Sequence, residues 1–209
     1  MAVPTSIRAM RLLDGRHPTH PFIQAEVIRD YPAIELAGVE THWANAREQA
    51  AVARVVAGLN PLEHSHWDWR NKIESVEIGR HMLVAIECEN DVQGIMAISR
   101  IPRPAQRRDG SVIYVDYLES APWNLKQTAT APRFIGVGTA LISEAIRISV
   151  ETGLGGRVGL HSLPQAEGFY SQRCRMTRVG IDSTYYDLTY YEYADQQATT
   201  WLTAIGESL

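Results

Sequence analysis

The 209-residue chain predicts a mixed α/β sheet domain, and three observations carry that reading. Extended and helical patterns alternate from about residue 41 onward, a glycine loop at 133–139 opens a strongly amphipathic helix, and tyrosine-rich extended sequence precedes a last helix. Composition agrees with a globular protein, at 45% hydrophobic and 21% charged residues. No apolar run approaches the ~20 residues that a membrane helix needs, so no membrane partner is expected. The formal net charge of −4 offers no general attraction to nucleic acid and mildly favours cationic substrates. Two cysteines, Cys88 and Cys174, make no disulfide framework, and Met1–Asp30 contains no apolar block ending in a cleavage site. A cytoplasmic protein is the expectation.

The elements follow in order. Residues 1–40 carry Pro4, Pro18, Pro21 and Pro32 without a sustained period, and read as an extension packed on a domain spanning 41–209. A helix is expected from Thr41, as N-cap, to Gly58, with Pro61 beyond it. Met82, Val84, Ile86 and Cys88 alternate with less apolar neighbours, Asn90-Asp91 supplies a turn, and Val92–Ser99 returns, which is a β-hairpin. A loop with Arg100, Arg103, Arg107 and Arg108 leads to a β-branched, aromatic strand over Ser111–Leu118. Ser120–Pro132 reads as loop. The next helix shows Thr139, Ser143, Arg147 and Glu151 as a polar stripe and Val137, Leu141, Ala145 and Ile148 as an apolar one. A short strand at Arg157–Leu163, a short helix from Pro164 to Cys174, an extended region at Arg178–Tyr193 and a helix capped by Asp195 complete the chain.

Arg133-Phe134-Ile135-Gly136-Val137-Gly138-Thr139 is the most informative segment. Glycines at the head of a helix let backbone approach a ligand, while unpaired first-turn N–H groups carry the positive end of the helix dipole. Several N–H groups acting together suit a diphosphate, and Arg133 can add a charged contact. The segment is no Walker loop, since no Gly-Lys-Ser/Thr follows, and it lacks the third glycine of a dinucleotide fingerprint. Taken alone, the same glycines also serve tight packing or capping.

Phe169-Tyr170 in a short helix after a strand, together with Arg133, Gly136 and Gly138, resembles the signature of the GCN5-related N-acetyltransferase (GNAT) superfamily. Leu118-Glu119-Ser120-Ala121-Pro122 is similar to the family's Leu-x-Val-x-Pro stretch, and the resemblance covers roughly residues 75–193. It implies an acyl-CoA N-acyltransferase fold, three layers α/β/α about a splayed central sheet. Acetyl-CoA is the implied cosubstrate and no metal is expected. Its diphosphate would rest on Gly136, Val137, Gly138 and Thr139 with Arg133 at the mouth, and its pantetheine arm on the backbone of Leu118 and Ser120. Tyr170 matches the family's general acid, and Asp116 falls where many relatives place a catalytic carboxylate, with Glu119 the competing one. On a strand these two point to opposite faces. The sequence departs from the family at Pro164, where many members carry an Asn, and at Arg175, where Gly is usual.

The implied activity is direct transfer of an acetyl group to a primary amine, on a small molecule or on a protein or peptide. The alternatives are a non-catalytic acyl-CoA-binding or sensor module of the same fold and a purely structural interaction domain. Other residues have plainer readings beside the functional ones. His64 and His66 alternate as metal ligands would, without a third ligand. His161 lies in the strand after the helix and reads as a hydrogen-bonded buried histidine or a proton relay. Cys174 reads as structural rather than nucleophilic. The tyrosine run around Tyr190 reads as sheet packing, an aromatic substrate wall or a homodimer contact, and Trp123-Asn124 as a cover for a ligand.

Overall fold

A computed structural model describes residues 6–60, 66–75, 79–107, 109–125 and 131–207. The chain divides into two compact units, Met1–Ala97 with Leu118–Gly138, and Ile98–Tyr117 with Thr139–Leu209. Ten strands and four α-helices occur among the described residues, a mixed α/β architecture as the alternating pattern predicts.

In the first unit β1 (Ser6–Asp14), β2 (Phe22–Arg29), β3 (His81–Cys88), β4 (Asp91–Ser99) and the two-residue β7 (Phe134–Ile135) lie in the order β7-β1-β2-β3-β4. β1 and β2 form an antiparallel hairpin with Met10 opposite Ala25, and β2 pairs with β3. The sequence shows no period here because Ile7 on the exposed face and Arg8 on the less exposed one run against the alternation of burial along β1. β3 and β4 form the expected hairpin, but its two turn residues are Glu89 and Asn90, at φ 54° and 61°. Two left-handed residues make the primed turn whose twist suits paired strands, one position earlier than expected.

α1 runs Leu36–Val56, entered through a 3-10 turn at Ala33–Glu35. Thr41 is therefore internal rather than the N-cap, and its hydroxyl donates to the Ala37 carbonyl at 2.9 Å. Leu36, Glu40 and Trp43 are buried along one stripe. α2 (Trp69–Ser75) follows. Met176 N–H donates to Tyr170 C=O, and Arg175 between them takes φ 56°, the left-handed conformation that glycine adopts freely.

In the second unit β6 (Ser111–Ser120), β8 (Val158–Ser162), β10 (Leu188–Glu192) and β9 (Thr177–Asp182) follow the order β6-β8-β10-β9, with β5 (Arg103–Pro104) paired to β6. β6 and β8 are parallel, while β8–β10 and β10–β9 are antiparallel. α3 (Val137–Glu151) supplies the core with Leu141, Ile142, Ala145 and Ile146, all at 0% exposure. Its expected polar stripe is partly buried: Ser143 is inaccessible and turns its hydroxyl to the Thr139 carbonyl at 3.0 Å. Residues 164–174 form a 3-10 turn at Pro164–Ala166 and a wider helical turn at Phe169–Arg173. α4 (Asp195–Ala204) has Ala194 at its N-cap position, where the Ala194 N–H donates to the Gln197 side chain. Asp195 is thus the first helical residue and not the cap.

Gly159 in β8 is fixed by its neighbour, because a Cβ there would lie 2.1 Å from the Tyr190 hydroxyl oxygen. Gly159→Ala is expected to lower unfolding stability by about 1–3 kcal/mol through overpacking. Denaturant titration checks this, and a second change, Tyr190→Phe, is expected to restore part of the loss. Arg175→Gly is expected to raise stability by up to about 1 kcal/mol by relieving the left-handed side chain, read in the same titration.

Candidate active site

β6 and β8 pair over only three residues, Ile113, Tyr114 and Val115 against Val158, Gly159 and Leu160. β6 nevertheless continues to Ser120 and β8 to Ser162. Burial changes at the same point: Val112 to Val115 are buried, whereas Asp116, Tyr117 and Leu118 are half-exposed in succession. Parallel strands that stop pairing leave backbone N–H and C=O groups free to bond an extended ligand. Leu118 and Ser120 are half-buried there and Glu119 between them is buried, which is the alternation of a strand.

Gly136 takes φ 99°, a conformation closed to other residues, and a Cβ built on it would meet nothing within 4 Å. Gly136, Gly138 and Thr139 are half-exposed and Val137 is buried at 2% exposure, so its side chain anchors the first turn of α3. Among the described residues, no side chain or loop carbonyl outside the helix accepts from the N–H groups of Val137, Gly138 and Thr139.

Arg133 is held from below. Its guanidinium donates to Glu89 at 2.8 Å, in the turn after β3, and to Asp91 at 3.1 Å, the first residue of β4. Glu89 also accepts from Arg16 at 2.8 Å, and both arginines hold its carboxyl down at about 2. Their guanidinium groups flank the Phe134 ring at 5.0 and 5.3 Å. β7 pairs Phe134 and Ile135 with Asp14 and Leu13 of β1. The residues that precede the glycines are therefore fastened to the N-terminal hairpin. Gln93, fully buried, accepts from Trp123 Nε1 at 2.8 Å and from Asn124, whose own carbonyl accepts the Phe134 N–H. Trp123 is tethered in place by this bond and by an edge contact with Trp43.

Of the acid–base candidates, Tyr170 is buried at 7% exposure on the Phe169–Arg173 turn, beside the Tyr191 ring at 6.0 Å. Burial pushes its hydroxyl well up, and no hydrogen bond engages that hydroxyl among the described residues. Asp116 accepts from Arg103 at 2.5 Å. Glu119 is buried and accepts from Arg47 at 3.1 Å and Trp69 Nε1 at 2.7 Å; burial raises its proton affinity. Arg47 also bonds Glu40 at 2.5 Å, and Glu40 accepts the Trp69 N–H at 2.9 Å. Sequence reading missed this cluster, whose one local trace is the Glu40, Trp43, Arg47 stripe on α1. Cys174 is fully buried as a thiol, and burial raises it, which suits a structural residue. His64, Arg108 and the loop positions 126–130 lie outside the described residues, among which no cluster of metal-binding side chains occurs. No helix of the described residues is long and apolar enough to cross a membrane.

No protein-family model and no curated protein matches the chain. Similar solved structures include the PaiA N-acetyltransferase of Thermoplasma acidophilum in complex with coenzyme A, at 17% identity, TM-score 0.50, 80% of this chain and 97% of that one. A GNAT-family acetyltransferase of Listeria monocytogenes aligns at 13% identity and TM-score 0.51 over 88% of this chain and 99% of that one. Mycobacterium smegmatis RimJ in complex with CoA-disulfide aligns at 13% identity and TM-score 0.51 over 97% and 95%. The fold is that of the GNAT acetyltransferases. Within a GNAT fold, the hairpin β1–β2 and the short β7 are what fasten the glycine loop of this chain, and the Glu40–Arg47–Glu119–Trp69 cluster is what fastens α1 and α2 to the end of β6.

That cluster places two carboxylates against one guanidinium with little water. Arg47→Met is expected to cost about 3–5 kcal/mol, because removing one partner leaves buried charge uncompensated. Glu119 has a folded-state proton affinity above its ordinary value of 4.5, so its ionised form weakens the fold and protonation relieves it. The deficit of the variant is expected to be greatest at neutral pH and to shrink as pH falls towards 4.5, measured by denaturant midpoints across that range.

Proposed function

We propose that the protein is an acetyl-CoA-dependent N-acyltransferase that moves an acetyl group to a primary amine by direct attack. The observation that supports this most is the early end of β6–β8 pairing, where β6 runs five residues beyond its last rung. The open Gly136 conformation and the first-turn amides of α3, which meet no acceptor outside the helix among the described residues, fit a diphosphate. Solved GNAT-fold proteins bound to coenzyme A support the choice of cosubstrate. In this reading Gly136, Val137, Gly138 and Thr139 bind the diphosphate through their N–H groups, and the backbone of Leu118 and Ser120 binds the pantetheine arm. Arg133, already paired with Glu89 and Asp91, shapes the loop and contributes its charge from there. Tyr170 is the general acid: its raised hydroxyl keeps a proton at neutral pH for the departing sulfur. The amine belongs to a small molecule or to a protein or peptide.

Titration calorimetry with coenzyme A and a thiol-release assay with acetyl-CoA and primary amines test the reading. Gly136→Val is expected to weaken coenzyme A binding about tenfold or more, since the side chain is strained and enters open space. Tyr170→Phe is expected to bind coenzyme A as the parent does and to lose about 10²-fold in turnover. Tight coenzyme A binding without thiol release from any amine would favour the sensor module instead, and absence of binding would remove the acyl-transfer reading altogether.

A further inference from the structure

On one face of the second unit's sheet lies a partly buried polar network that neither the glycine loop nor Tyr170 uses. The Tyr114 hydroxyl reaches past the last rung of the β6–β8 pairing to His161 Nδ1 at 2.6 Å. His161 Nε2 meets the Asp182 carboxylate at 3.1 Å. Tyr185 stacks on the imidazole with ring centroids 4.1 Å apart and planes 16° off parallel. Tyr190, directly across β10 from His161, closes the other side at 4.9 Å. Arg103 lies over the Tyr114 ring at 3.7 Å while its guanidinium binds Asp116.

The hydrogen bonds fix the tautomer. Thr184 hydrogen bonds hold Asp182 down at about 2, so this carboxylate only accepts. A neutral His161 must then carry its proton on Nε2, and Nδ1 must accept from the Tyr114 hydroxyl. Burial lowers the proton affinity of His161, with Asp182 opposing, which leaves the ring neutral near pH 7. The groups that face it are Tyr114 and Asp116 on β6, Arg103 on β5, Asp182 on β9, Tyr185 in the β9–β10 turn, and Tyr190 and Glu192 on β10.

Position matters as much as bonding. Neighbouring strand residues point to opposite faces. Tyr190 touches His161, whereas Tyr191 touches Tyr170. The acid candidate and the imidazole therefore lie on opposite faces of the sheet, on either side of the place where β6 and β8 part.

We infer that Tyr114, His161 and Asp182 form a proton relay that deprotonates the acceptor amine, with His161 as the base behind the Tyr114 hydroxyl. The inference rests on the acyl-transfer reading and names its base, the role that sequence resemblance gave to Asp116 or Glu119. An acceptor ammonium gives one proton to the Tyr114 oxygen as Tyr114 passes its own to His161 Nδ1, and Asp182 steadies the imidazolium. The freed nitrogen forms the C–N bond to the thioester carbon, the C–S bond breaks, and the Tyr170 hydroxyl proton goes to the sulfur. The second proton shed by the nitrogen returns to Tyr170 through water, and His161 releases its proton to solvent, a net gain of one proton in solution. Tyr114 is the catalytic residue of the three, while His161 and Asp182 act through it.

The test uses the whole chain with His161→Gln, which keeps a donor for Asp182, and Tyr114→Phe as the second variant. Spermidine, ethanolamine and an N-terminal alanine peptide serve as probe amines. Both variants are expected to bind coenzyme A as the parent does and to lose about 10²-fold in kcat with the best probe. The parent rate is expected to climb with pH through the depressed His161 titration and then level. His161→Gln is expected to keep climbing as free amine accumulates, a difference that a merely structural histidine would not produce. Nitrogen NMR of labelled histidine in the parent is expected to show a neutral Nε2–H ring at pH 7. Parental kcat and pH profile in both variants, or an Nδ1–H ring, would each overturn the relay. Failure of the parent to bind coenzyme A, or binding with no turnover of any probe, would instead bring down the acyl-transfer reading on which it rests.

Discussion

Three rungs of parallel pairing between β6 and β8 set the terms for this molecule. Strand pairing is normally extended as far as the two backbones allow, because each unpaired amide or carbonyl must find another partner. Here β6 carries on to Ser120 and β8 to Ser162 without each other. Holding two strands apart has an energetic cost that must be met by groups bonded elsewhere. The end of β6 is held by Glu119, locked to Arg47 and Trp69, and by the Ala121 N–H on the Gln93 carbonyl. The end of β8 is held by Ser162, whose hydroxyl binds the Leu163 carbonyl, and by its pairing with β10. Each strand end thus has bonds of its own beyond the last shared rung.

Much of the fold was legible because it is written in local periodicity. The hairpin of β3 and β4, the strand β6 and the helix α3 come from patterns of two and of nearly four, and burial of Val137, Leu141, Ala145 and Ile148 follows the expected stripe. The first hairpin is not legible because the less exposed face of β1 carries Arg8 beside Met10 and Leu12 while Ile7 is exposed, so polarity does not follow burial. Arg133 shows the same limit at the site. Its place before the glycines is visible in sequence, but its partners Glu89 and Asp91 lie more than 40 residues away and carry no motif. His161 reads as a buried histidine or a relay from its strand alone, while Tyr114 and Asp182, 47 and 21 residues distant, carry no signal.

Arg175 shows how a side chain can be carried through a conformation that glycine adopts freely. The arginine takes φ 56°. Its carbonyl accepts from Gln197 Nε2 at 2.6 Å, and Trp201 Nε1 bonds the carbonyl of Arg173 at 3.0 Å. Two residues of α4 thus hold the chain through the strained position. The same turn ends in Cys174, whose carbonyl accepts the Tyr193 hydroxyl. The backbone that carries Tyr170 is therefore fixed by bonds from α4 and from Tyr193 just after β10, while no described residue bonds the Tyr170 hydroxyl.

The choice of base follows from what each carboxylate already does. A carboxylate that takes a proton from an amine loses the charge that holds its present partners. Protonating Asp116 cancels the charge facing Arg103 at 2.5 Å, and protonating Glu119 cancels a charge facing Arg47 inside a site with almost no water. Either neutralisation leaves an arginine with less compensation, a costly event in a buried pair. His161 meets no such loss. Its Nδ1 already receives a hydroxyl hydrogen bond, and completing the proton transfer only shortens the path of a hydrogen that is in place. The charge created on the ring falls against Asp182, which is ionised beforehand. A neutral histidine with a fixed anion behind it gains charge with little reorganisation, whereas an ion-paired carboxylate loses charge and leaves its arginine unmatched. That difference in reorganisation, rather than intrinsic basicity, is why the imidazole suits the role.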